Sequence, residues 1–114
     1  MRVLVCGGRD FKDAQRVFQE LDARNNNSPI LTLIEGDATG ADRHARHWAL
    51  SHGIPCITIQ PAWAYYGKRA GPIRNEWMIK YGQPDCVIAF PGGHGTASMV
   101  KLARKHDIPV VTAE

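Results

Sequence analysis

Five short runs of apolar residues punctuate the chain, at 2–6, 30–34, 57–59, 86–90 and 108–112. Within each run the apolar positions are near-continuous instead of alternating, the pattern of strands buried on both faces, as in a parallel sheet. Between the runs the spacing changes to that of helices. Ala14, Val17, Phe18 and Leu21 mark one helix face, and the polar stretch Asn25 to Pro29 ends that helix as a loop. Ala41, Ala45, Trp48, Ala49 and His52 form a second inner face, with Arg43, Arg46 and His47 outside. Gly53 and Pro55 then supply the expected stop. The stretch from Pro61 to Gly71 reads as irregular and aromatic. Pro72 suits the first turn of a third helix, whose face is Ile73, Trp77 and Tyr81. Met99, Val100 and Ala103 turn the last helix inward.

Strand and helix therefore alternate along the whole chain, which predicts an α/β fold with a mostly parallel five-stranded sheet. Right-handed crossovers and a doubly wound order of 3-2-1-4-5 place strands one and four side by side. The loops after those two strands then face each other across the crevice where open α/β sheets bind ligands.

Both loops are rich in glycine. The first reads Cys6-Gly7-Gly8-Arg9-Asp10 and the second Pro91-Gly92-Gly93-His94-Gly95-Thr96. A strand that breaks into glycines and restarts as a helix lets an anion approach the backbone and meet unpaired N–H groups. Thr96, at or near the helix start, adds a hydroxyl that caps the helix or touches the ligand. Neither loop is a Walker A or a G-x-G-x-x-G motif. A tight turn without a ligand would explain one such cluster, but two that converge at a switch point favour binding.

Length and composition narrow the field. A chain of 114 residues with 44% hydrophobic and 22% charged residues fits one globular domain spanning 1–114. No apolar run approaches a membrane span, and the first strand starts without a leader. Three cysteines beside apolar runs read as reduced thiols in a cytoplasmic protein, and their spacing fits no metal site. The net charge of +3 is mild and spread along the chain, so nucleic acid is not an expected partner.

The second loop resembles the P-G-G-x-G-T signature of the Rossmann-like SLOG superfamily, which includes the Lonely-guy phosphoribohydrolases and the DNA-processing protein DprA. With Val5 to Phe11, Gly40-Ala41-Asp42, and Tyr66-Gly67-Lys68 running on to Asn75, the chain is more similar to the YspA-like, cpYpsA-related branch. The resemblance covers essentially the whole chain. It implies a three-layer sandwich that binds a nucleotide or nucleotide-derived ligand, with no cofactor. Lonely-guy enzymes pair an arginine with a glutamate to cleave an N-glycosidic bond. Arg74, with Met78 four residues on, matches the arginine, although Asn75 replaces the following lysine. Met99 stands where the glutamate belongs, and a thioether cannot serve as acid or base.

The candidate ligand residues are therefore Gly7, Gly8, Arg9, Asp10, Asp42, Arg74, Asn75, Pro91, Gly92, Gly93, His94, Gly95 and Thr96. Arg74 leads them: it reads as a helix-start arginine with little core packing, able to grip a phosphate bidentately. Asp42 is the best ribose partner, although acids at helix starts also serve as caps. Glu35 and Glu76 are the carboxylates that could replace the missing glutamate. Trp63, Tyr65 and Tyr66 could stack a base, or cover a lid or a subunit contact, and the last use leads to an expected homodimer or larger assembly. Three functions stay open: ligand binding or sensing, nucleoside 5′-monophosphate hydrolysis with Arg74 as catalytic residue and a rebuilt acid, and DprA-like single-stranded DNA binding.

Overall fold

A computed structural model describes residues 1–114. Strands β1 (Arg2–Cys6), β2 (Thr32–Glu35), β3 (Cys56–Thr58), β4 (Cys86–Ala89) and β5 (Val110–Thr112) form one parallel sheet of order β3-β2-β1-β4-β5. Val3 is in register with Leu33 on one side and Cys86 on the other. The order expected from the apolar runs is the order found.

Helices cover both faces. On one side lie α1 (Ala14–Asn27) and α2 (Ala41–Ser51), and on the other α4 (Ala70–Gly82) and α5 (His94–Lys105). Successive side chains of β1 divide between them: Val3 and Val5 pack with Leu21 and Trp48, while Leu4 and Cys6 pack with Met78 and Met99. This is the two-residue period of a strand buried on both sides. Trp48 is 1% exposed, and burying a side chain of that size contributes upward of about 2 kcal/mol. Its indole N–H is not stranded, because Asp22 Oδ1 accepts it at 2.8 Å.

Several local expectations are corrected. The run Asn25 to Asn27 is helical, and α1 ends only at Ser28-Pro29. Asn25 turns from helix former to turn partner there, since its Oδ1 accepts the Ile30 N–H at 2.9 Å. Strand β2 begins two residues later than Ile30, and Leu31 is exposed. His52 does not face inward: it caps α2 and stacks on Trp48 from the solvent side. The stretch after Pro61 is short helix, α3 (Trp63–Tyr66) followed by a 3₁₀ turn (Gly67–Arg69) that runs into α4. In α4 the buried positions are Ala70, Asn75, Met78 and Gly82, whereas Tyr81 is exposed. Gly82 sets that face, since even a methyl there would sit 3.1 Å from Ile34 of the sheet. Trp77 is half buried, edge-on to Tyr66, and not core. No helix is long and apolar enough to cross a membrane.

Candidate functional site

The carboxyl ends of β1 and β4 lie side by side, so the two glycine loops meet. Gly7 permits this approach, because a Cβ there would come within 2.6 Å of the Ala41 Cβ and 3.0 Å of the Phe90 Cβ. The Gly8 N–H then donates to the Pro91 carbonyl at 2.8 Å. At Gly92 a Cβ would collide with Thr96 Oγ1 and lie 2.7 Å from the Gly8 nitrogen. A third loop, between β2 and α2, closes beneath them. Gly40, at φ +79°, presses against the Gly8 carbonyl, and Thr39 Oγ1 donates to the Arg9 carbonyl at 2.9 Å.

These loops border a cavity of about 770 Å³. All thirteen candidate ligand residues line it: Gly7, Gly8, Arg9, Asp10, Asp42, Arg74, Asn75 and the run Pro91 to Thr96. Cys6, Phe11, Ala38 and Met78 complete the wall. Their apolar character gave no sign of that position, which depends on where β1 and α4 end up. Cys6 is no nucleophile here, since burial, reinforced by the Asp42 charge, pushes its thiol up to about 12.

Helix α5 starts in this cavity. The N–H groups of Gly92, Gly93, His94, Gly95 and Thr96 have no acceptor anywhere in the chain. The first intrahelical bond of this turn is made by Ala97, to the Gly93 carbonyl at 3.1 Å. Five successive donors at the positive end of a helix dipole form an anion site.

Asp42 forms the floor and is 5% exposed. Its Oδ2 accepts the N–H groups of Gly36 and Ala38 at 3.1 and 3.2 Å. Its Oδ1 has no partner within the chain and is not sealed off, so it opens on the cavity. Burial pushes the carboxyl up to about 7; the nearby Glu35 charge adds to this, while the Ala38 amide and Arg74 oppose it.

Arg74 lies one turn inside α4, not at its free start, and it is half buried. Its guanidinium donates to the Gly36 carbonyl and, through Nε, to Asn75 Oδ1 at 3.0 Å. It thus packs over the glycine at position 36, where any side chain would collide with it. Burial lowers its pKa, against the Asp42 charge that raises it. Asn75, 4% exposed, passes the link on by donating to the Gly95 carbonyl at 3.4 Å.

The other candidates fall outside the cavity. Glu35 is fully buried and accepts from Arg46, from the Thr58 hydroxyl and from the Asp37 N–H. That makes it the anchor of the β2–α2 loop, unavailable as an acid. Glu76 is exposed and does not line the cavity. Met99 is fully buried against the sheet and does not line the cavity. Trp63 and Tyr65 are 52% and 82% exposed and do not line it either.

Residues 1–66 match the family described as YspA, cpYpsA-related SLOG. The matched span carries the first glycine loop and Asp42, while Arg74 and the second loop lie beyond it. The chain is also similar to the Gene 61 protein of Mycobacterium phage D29, 36% identical over 118 aligned positions that cover 96% of this chain and 94% of the relative. The family match spans more than half of the chain: the chain belongs to the YspA, cpYpsA-related SLOG family.

Proposed function

We propose that the protein binds a nucleotide, or a nucleotide-derived phosphorylated ligand, in the crevice between the loops after β1 and β4. The observation that carries this reading is the row of unpaired N–H groups from Gly92 to Thr96 on the wall of a cavity large enough for a nucleotide. A phosphate accepts those hydrogen bonds and complements the helix dipole. The free Oδ1 of Asp42 accepts a ribose hydroxyl, and Arg74 adds positive charge beside it. Titration calorimetry with adenosine 5′-monophosphate and with adenosine tests the reading. The monophosphate binds and adenosine binds at least tenfold more weakly, because it lacks the group the loop holds. Equal affinity for the two would refute it.

A second reading, hydrolysis of the N-glycosidic bond of a nucleoside 5′-monophosphate, is favoured by one observation. Asp42 puts a half-satisfied carboxylate, with its pKa pushed up to about 7, beside Arg74 on the crevice floor. Such a group is suited to take a proton from a water that attacks the anomeric carbon. Chromatography of adenosine 5′-monophosphate after long incubation separates the readings. Released adenine that disappears in Asp42→Asn supports hydrolysis, and intact nucleotide supports binding alone.

A further inference from the structure

A second cavity of about 660 Å³ backs onto the first. The two share Pro91, Gly92, Gly93 and Thr96, so the glycine loop is a saddle between them. Beyond the saddle the second cavity runs along α5 past Val100, Lys101 and Arg104 to the segment Thr112–Glu114. Lys101 and Arg104 make neither a salt bridge nor a side-chain hydrogen bond; the Glu114 carbonyl is already held by Arg16 Nε at 2.8 Å.

Gly93 lines both cavities. Glycine at 92 is enforced by the collision with Thr96 and Gly8, but nothing comparable holds at 93. A Cβ there would meet no atom within 4 Å, and its φ of −99° lies outside the left-handed region. Neither packing nor positive φ requires glycine at this point.

We propose that the ligand crosses this saddle and carries a second anionic group, separated from the first by a sugar, which Lys101 and Arg104 hold. The inference rests on the nucleotide-binding reading above and extends it to a second subsite. Lys101 lies about 10 Å along the helix axis from His94. Helical side chains lean toward the amino end, which brings its ammonium back toward the loop. That separation suits two phosphates on different oxygens of one ribose, and it exceeds the reach of two phosphates joined directly.

The test compares three probes by calorimetry: adenosine 5′-monophosphate, adenosine 3′,5′-bisphosphate and adenosine 5′-diphosphate. The 3′,5′-bisphosphate should bind about 10-fold tighter than the monophosphate, since two partly exposed charge contacts each contribute a few-fold. The 5′-diphosphate, with its phosphates bridged, should gain less. Lys101→Ala/Arg104→Ala changes two exposed helix positions, so folding is preserved. In that variant the bisphosphate should fall to the level of the monophosphate, whose own affinity stays unchanged. A bisphosphate that binds no tighter than the monophosphate overturns the subsite. So does a gain that survives the double substitution, or an equal gain for the 5′-diphosphate, which would mark diffuse charge attraction. If the monophosphate does not bind at all, the nucleotide reading itself fails and the subsite falls with it.

Discussion

The backbone amide of Gly8 donates to the carbonyl of Pro91 at 2.8 Å, which fastens the loop after β1 to the loop after β4. The two glycine loops are therefore not two independent phosphate cradles. Gly8 spends its N–H on the other loop, whereas the start of α5 presents five successive N–H groups that have no acceptor. Both loops line the crevice, and the start of α5 offers it a row of unpaired N–H groups.

From this follows a contrast between adjacent glycines. Gly92→Ala forces a methyl onto Thr96 and Gly8, so it should cost about 1–3 kcal/mol of stability, as overpacking does. Gly93→Ala meets open space and should cost at most about 1 kcal/mol, the loss of a good N-cap residue. Urea denaturation of both variants measures the difference. Equal losses would mean that the loops are not in contact as described.

Arg74 holds Gly36 and Asn75 and also lines the proposed binding crevice. Arg74→Ala leaves the Gly36 carbonyl without its donor, a loss of about 1–3 kcal/mol in stability. Where a phosphate binds in the crevice as proposed, it also removes a nearby positive charge, which should weaken that binding by about 10-fold or less. Arg74→Lys should recover part of each, since an ammonium replaces the charge but not the planar fork. Denaturant midpoints, together with calorimetry of phosphorylated and unphosphorylated ligand, separate the two roles. A stability loss without a phosphate-specific affinity loss would leave Arg74 purely structural.

Asp42 should write its protonation into the pH dependence of stability. Its folded-state pKa is raised from 3.8 to about 7, so the folded state binds the proton more readily than the unfolded chain. The associated stability is fully present below about pH 4 and is lost as the pH rises to about 7. Asp37 acts in the opposite sense and at lower pH, because the Arg46 hydrogen bond, its largest influence, depresses its pKa. In Asp42→Asn the decline between pH 4 and 7 should flatten, while the side-chain oxygen still serves Gly36 and Ala38. Melting temperatures across pH 4–8 for the two proteins measure this, and parallel curves would contradict it.

Met99 bears on the absent glutamate. It is fully buried beside Leu4, Val87 and Met78, so Met99→Glu places a carboxyl where no water reaches. The substitution should destabilise the fold by several kcal/mol, less so at pH 4 than at pH 8, because the buried carboxyl is tolerated only when neutral. Met99→Leu should cost less than about 1.5 kcal/mol. Denaturation at both pH values checks the pair, and a well-folded Met99→Glu at pH 8 would show that α5 can turn this position toward the crevice.

The architecture was legible in the chain because it depends on periodicity. Continuous apolar runs alternating with helical spacing demand a parallel sheet covered on both faces, and right-handed crossovers leave few strand orders. The crevice residues were legible for the same reason, since the order 3-2-1-4-5 brings the ends of β1 and β4 together. What local pattern could not carry was which polar groups are already taken. Glu35 and Asp42 are both acids in or beside one loop, yet Glu35 is closed off by Arg46, Thr58 and Asp37 while Asp42 keeps an oxygen on the cavity. Gly8 and Gly93 are both loop glycines, yet only one has its N–H occupied. Arg74 resembled a free helix-start cation until Gly36 and Asn75 were seen to hold it. Hydrogen-bond partners distant in sequence decide whether a polar group is structural or available, and only the tertiary structure brings those partners together.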